Sequence, residues 1–190
     1  MNTGQMMLVA GALTLLSLLA VSINQMLVGQ TQTQLDAEAS LNAISVAQSL
    51  LDEIQTKYYD AAVMPVYQSG TWVTPRVYDN QIASTMTASI ALGPNSAEQS
   101  AVPLPDSTYP HKSVAGYGDV DDYNGYVRID STSRMNGFRS VVKVYYTVDG
   151  SPDNVSNVPT CFKRIDVTVT QQSMKHPLTL SDVAIYRKYF

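Results

Sequence analysis

From Met6 to Ile23 nearly every position along the chain is apolar. A run of about eighteen such residues lies at the short end of what crosses a hydrocarbon core as an α-helix. Thr14, Ser17 and Ser22 are compatible with that helix, because a hydroxyl can bond back to a carbonyl one turn earlier. Gly4, Gly11 and Gly29 punctuate it as weak points or points of close packing. The next stretch, NQMLVGQTQTQ, is polar, rich in glutamine and uncharged, and it leads on without proline or a strong turn signal. A second pattern then begins. Ala43, Ile44, Ala47, Leu50, Leu51, Ile54 and Tyr58 recur at three- and four-residue steps, the stripe of an amphipathic helix. Asp36, Glu38, Asp52, Glu53 and Lys57 fall mostly off that stripe. The simplest prediction is one helix, or two nearly collinear ones, over 2–59, roughly 85 Å long at the α-helical rise.

The period changes after Asp60. TWVTPRVYDN and IASTMTASIALG are rich in β-branched and small residues, and AEQSAVPLPDSTYPHKSVAGYGD reads as loop. GYVRIDST alternates, with Tyr126, Arg128 and Asp130 opposite Val127 and Ile129. RSVVKVYYTVDG is a long strand ending at an Asp149-Gly150 turn signal. CFKRIDVTVTQ sets Phe162, Arg164, Asp166 and Thr168 against Lys163, Ile165, Val167 and Val169. PLTLSDVAIYRKYF supplies a last strand through Leu178, Leu180, Val183 and Ile185. These patterns predict an α+β fold: a long N-terminal helix, apolar in its first half and amphipathic in its second, packed on an antiparallel meander of about four strands. The chain divides into a helix over 1–59 and a β-rich head over 60–190. Within the helix, 1–28 suits a membrane span or filament core, and 29–59 packs on the head.

Composition narrows the function classes. The 190 residues carry 15% charged side chains and a net charge of −4, and the first charged side chain is Asp36. With no Lys/Arg run or basic stripe, no nucleic-acid partner is predicted, since phosphate binding needs clustered cations. The single cysteine, Cys161, forms no intramolecular disulfide and reads as a small apolar residue near a strand start. His111 and His176 lack metal-ligand spacing and read as surface or loop residues. No Ser/His/Asp set, glycine-rich phosphate loop or paired-His zinc motif is present, so the chain does not read as an enzyme.

The charge-free helix, its amphipathic continuation and the β-meander together resemble the type IV pilin-like fold of pilins and pseudopilins. MNTGQMMLVAGALTLL fits the register of their mature N-termini, with Gln5 where that family has a Glu. LNAISVAQSLLDEIQ is similar to the Ala-rich second half of many minor-pilin helices, and FKRIDVTVT with HPLTLSDVAIYRKY is similar to their closing hairpin. GDVDDYNGY is similar to a loop in some minor pilins. The resemblance implies a chain processed by a prepilin peptidase, which removes a short basic leader and leaves an N-methylated Met1. A competing register begins at Gln5. Gln5 keeps hydrogen-bonding capacity without a charge to neutralise a neighbour's amine.

The resemblance further implies assembly. The subunit starts in the inner membrane and joins identical or related subunits in a helical homopolymer outside the cell, driven by pilus assembly machinery. Met6, Met7, Leu8, Val9, Ala10, Gly11, Leu13, Leu16 and Ala20 would pack the filament core, with Ala12 and Ser17 beside them. A helix bend or local melting is expected near Gly29, between Asn24 and Gln34. The readings are a pilus-like structural subunit, a type II secretion pseudopilin, or, in another class, a single-pass anchored β-domain acting as a binding module. Asp119, Asp121, Asp122 and Asn124 stand close on a glycine-bent loop, a pattern of oxygens that calcium favours. The alternative is a solvated turn before a strand. No other cofactor is implied. The twelve tyrosines against three phenylalanines read as amphipathic filler of strand faces and head contacts.

Overall fold

The computed structural model of the protein describes residues 2–187. Helix α1 runs unbroken from Thr3 to Gln55. Its first turn holds no acidic residue and its last turn no basic one. Nothing on the helix therefore offsets the partial charges at its ends. Thr14 and Ser17 donate to the carbonyls of Gly11 and Leu13 at 2.8 Å each, the back-bonding expected of hydroxyls in an apolar helix. Helicity continues through Gly29, whose carbonyl accepts from Thr33 Oγ1 at 2.9 Å.

Two strands, β1 (Val66–Gln68) and β2 (Thr71–Val73), form a small exposed hairpin. Ser69 and Gly70 make its turn with positive φ. Short helices α2 (Ile82–Thr85), α3 (Ser96–Ala101) and α4 (Ser113–Gly116) punctuate the long connection that follows. The prediction of plain loop there missed α3, which Asn95 and Glu98 cap reciprocally.

The main sheet contains β3 (Val127–Asp130), β4 (Phe138–Val148), β5 (Ser151–Val155), β6 (Phe162–Thr170) and β7 (Leu178–Ile185). All its pairings are antiparallel, in the order β3-β4-β6-β7, with β5 paired to the end of β4. The fold is α+β, and the four predicted strands are present with β5 added beyond the Asp149-Gly150 turn, where Gly150 takes φ +71°.

Period-two alternation puts Phe138, Val142, Val144 and Tyr146 of β4 and Ile165, Val167 and Val169 of β6 on one buried face. The second half of α1 covers that face with Ala39, Ala43, Val46, Ala47, Leu50, Leu51 and Ile54. The stripe is thus rotated slightly from the predicted one. Ile44, about 100° round the axis from Ala43, falls at its margin and is exposed. Tyr58 lies beyond the helix end and is exposed too, while Val46 and Ala39 take up the contact. Alanines at 39, 43 and 47 let the backbone of α1 approach the sheet closely.

Candidate functional site

Three features of the molecule bear on function: a bare apolar rod, a polar joint along its last turn, and a buried ionic knot just after it.

The rod comprises the first half of α1. Every described residue from Asn2 to Leu35 is exposed, including the predicted packing residues Met6, Met7, Leu8, Val9, Ala10, Gly11, Leu13, Leu16 and Ala20. A Cβ built on Gly11 or Gly29 would meet nothing within 4 Å. The helix is long and apolar enough to cross a membrane, and the head covers none of its most apolar window. Gln5 lies in the first turn, exposed; Met1 lies outside the described residues. Polar bonding to the head begins at the first charge, where Asp36 Oδ1 accepts from Lys175 N at 2.8 Å and Glu38 pairs with Arg134 at 3.3 Å.

The joint gathers around Glu53, which the sequence pattern placed only off the apolar stripe. Glu53 Oε1 accepts from Ser113 Oγ and from Tyr123 Oη at 2.7 Å each, and Oε2 accepts from Arg128 at 2.9 Å. Arg128 also binds Asp130 at 2.7 Å, and Asp130 meets His111 Nε2 at 2.9 Å. Tyr126 Oη donates to Asp106 Oδ2 at 3.0 Å. Tyr117, Tyr123 and Tyr126 pack edge to face with centroids 5.0–5.6 Å apart. Lys57 Nζ closes the far side by donating to the carbonyls of Val114 and Tyr117.

Two sequence readings gain detail here. His111 lies in a loop, one of the two readings given for it, and is buried there because Asp106 and Asp130 flank both ring nitrogens. On β3 the polar phase, Tyr126 and Arg128, turns inward while Val127 and Ile129 are only half-buried, since carboxylates of α1 and the preceding loop await it. Several tyrosines are likewise core residues whose hydroxyls feed networks, not surface filler. Tyr59, Tyr117, Tyr123, Tyr126 and Tyr146 are buried, while Tyr67, Tyr78 and Tyr109 are exposed; Tyr189 lies outside the described residues. Burial first, then Asp122, Asp106 and Glu98, pushes the Tyr117 phenol up to about 12. His176 is exposed and Cys161 is buried just before β6, as their positions predicted.

The knot centres on Lys163, which is wholly buried. Its ammonium touches Asp60 Oδ2 at 2.9 Å, Asp121 Oδ1 at 2.8 Å and the Tyr59 carbonyl at 2.7 Å. The rings of Tyr59 and Tyr146 flank it at 4.5 and 5.2 Å. Asp60 holds further donors: Ala62 N and Thr87 Oγ1 on Oδ1, Thr87 N and Tyr146 Oη on Oδ2. Burial alone would raise the Asp60 carboxyl. The Lys163 ammonium and the backbone donors outweigh it and hold the group below the ordinary carboxylate value.

Asp119, Asp121, Asp122 and Asn124 lie against this knot, and the structure turns their oxygens inward. Asp119 Oδ1 accepts from the backbone N–H of Asp121 and Asp122, and Asp122 Oδ2 from those of Gly118 and Asp119. Asp121 pairs with Lys163, and Asn124 bridges Val144 N and the Leu92 carbonyl. The three aspartates are buried, so the turn is not a solvated one. Among the described residues no group of three or more His, Cys, Asp or Glu side chains is arranged to hold a metal ion.

Burial, the hydrogen bond to Asp121 and the charges of Asp121 and Asp122 push Asp119 up to about 9, against the opposing pull of Lys163. Asp119 therefore holds its proton more tightly than an ordinary aspartate. Burial likewise pushes Asp122 up to about 6, although its backbone donors pull the other way.

The residues that sequence reasoning missed are Glu53, Asp60, Arg128 and Lys163. Lys163 alone left a signal, since it shares the apolar phase of β6 with Ile165, Val167 and Val169. A cation at such a position must be paired. No family model, curated protein or solved structure matches the chain.

Proposed function

We propose that the protein is a structural subunit of a type IV pilus-like filament, held in a membrane by the first half of α1 before assembly and bundled through it afterwards. The observation that carries this reading is the division of one continuous helix. The head covers the stripe from Ala39 to Ile54, while the apolar surface from Met6 to Val28 is bare on all sides. Soluble proteins rarely leave so large a contiguous apolar surface open unless it meets lipid or protein.

Moving such a rod from lipid into a bundle of like rods changes its hydrophobic free energy little, because both surroundings are apolar. Packing must then supply the bias, and Ala10, Gly11, Ala12, Ser17 and Ala20 allow close approach of neighbouring backbones. Rod-to-rod contact between staggered copies is heterologous and open-ended, which builds a helix and not a closed ring. The uncharged polar segment Asn24–Gln34 fits the same purpose, because it adds no ionic group that a bundle would have to desolvate.

The test is electron microscopy of filaments sheared from the cell surface and labelled for this chain. Thin labelled filaments are expected from the full chain and none from a chain lacking residues 2–28. Finding only detergent-soluble monomer in the membrane would overturn the filament reading in favour of an anchored β-domain.

A further inference from the structure

We propose that Lys163 and Asp60 condense into an intramolecular isopeptide bond, with Asp121 carrying the proton between them. The inference is independent of what the rod assembles with. It stands on the arrangement of the knot. A primary amine, wholly buried, lies within 2.9 Å of one carboxylate and 2.8 Å of another. Aromatic rings on both sides and the buried strands β4 and β6 keep water away.

The two carboxylates are not equivalent. Asp60 is surrounded by the donors Ala62 N–H, Thr87 N–H, Thr87 Oγ1 and Tyr146 Oη, at 3.0–3.2 Å. Such donors stabilise charge developing on the oxygens of an attacked carboxyl. Asp121 has Lys163 as its charged partner at 2.8 Å, which places it to accept a proton from that amine and return it.

The reaction balances without a co-reactant. Lys163 passes one proton to Asp60 Oδ2, leaving a neutral amine and a carboxylic acid. Nζ attacks Cγ of Asp60 and gives a second proton to Asp121, forming a tetrahedral centre held by the four donors. Asp121 then protonates the departing hydroxyl. The C–O bond breaks, water leaves, and an amide N–H remains facing Asp121. The Lys163 and Asp60 charges become one neutral amide, which removes their desolvation penalty, while Asp121 exchanges its cation for the amide N–H as donor. Holding amine and carboxyl in contact supplies the effective concentration that reverses the usual preference for hydrolysis.

The test is the intact mass of the full chain purified in detergent, followed by fragmentation. The expected mass is one water below that of the unlinked chain, with the peptides bearing Asp60 and Lys163 recovered joined. Asp60→Asn should release ammonia instead and arrive at the same final mass. Asp121→Ala should stay unlinked while circular dichroism reports a folded head. Full mass in the unaltered chain, or loss of water with the two peptides recovered separately, overturns the proposal whatever the variants do.

Discussion

The two halves of α1 share one backbone and differ in everything that surrounds them. From Thr3 to Leu35 every residue of the helix is exposed. From Asp36 onward it contributes a closely packed face to the core and, through Glu53, a polar bridge to β3 and α4. The first half has no charge to solvate it, yet no head surface covers it. The second half has charges on its open side and alanines where the sheet approaches. Secondary structure thus says little about role here. What distinguishes the halves is whether the apolar surface is one-sided, and therefore satisfied within the subunit, or all-round, and therefore dependent on what lies outside it.

That contrast can be attacked first at its strongest point. Lys163→Met should destabilise the head by about 3–5 kcal/mol, because it leaves two buried carboxylates, Asp60 and Asp121, without the Lys163 nitrogen that holds them. Chemical denaturation of the full chain in detergent, read by tyrosine fluorescence, measures it. A loss below 1 kcal/mol would mean that the knot tolerates uncompensated charge.

Next comes a paired truncation on the two halves. Leu50→Ala removes a fully buried side chain and should cost about 2–5 kcal/mol. Leu16→Ala, on the bare half, should change the unfolding of the head by less than about 0.5 kcal/mol while weakening whatever external contact the rod makes. Equal effects on unfolding would erase the distinction between the halves.

A pH slope confined to the head tests the same contrast without any substitution in α1. Asp119 ionises near 9 when folded, against 3.8 for the ordinary side chain. The folded head therefore binds this proton more tightly than the unfolded chain does. Its contribution is full below about 4 and is lost as pH rises towards 9, at no more than about 1.4 kcal/mol per pH unit. The groups facing it are Asp121, Asp122 and Lys163. Between pH 6 and 9 the melting temperature should fall, and Asp119→Asn, which mimics the protonated acid, should flatten that fall. A rise over the same window would show that Asp119 is ionised throughout.

Much of the architecture was legible along the chain because it is written in local periodicity. The apolar run, the stripe on α1 and the alternation in β4, β6 and β7 each follow from the spacing of neighbouring residues. The polar interior was not legible, for a physical reason. Glu53 meets Arg128 across 75 positions and Lys163 meets Asp60 across 103, and no local period records such a pairing. The same gap explains why the inward face of β3 and the burial of His111 were not foreseen. An alternating strand shows which residues share a face but not which face is inside, and polar residues went inward where partners from α1 and the loop before β3 met them. The acidic loop was found as a cluster, but its oxygens are bonded to backbone N–H groups, Lys163 and β4, an arrangement only the tertiary fold could show. The short hairpin β1-β2 and helices α2 to α4 depend on capping and tertiary contact, and carry little signal of their own.

The place where Lys163 grips the chain has a mechanical consequence. Asp60 follows the end of α1 by five residues, and its partner sits on β6, which has β4 on one side and β7 on the other. A pull along the helix is therefore delivered to an interior strand, not to an edge. Tension loads two ladders of hydrogen bonds in parallel, and the head resists as a unit instead of unzipping from its rim.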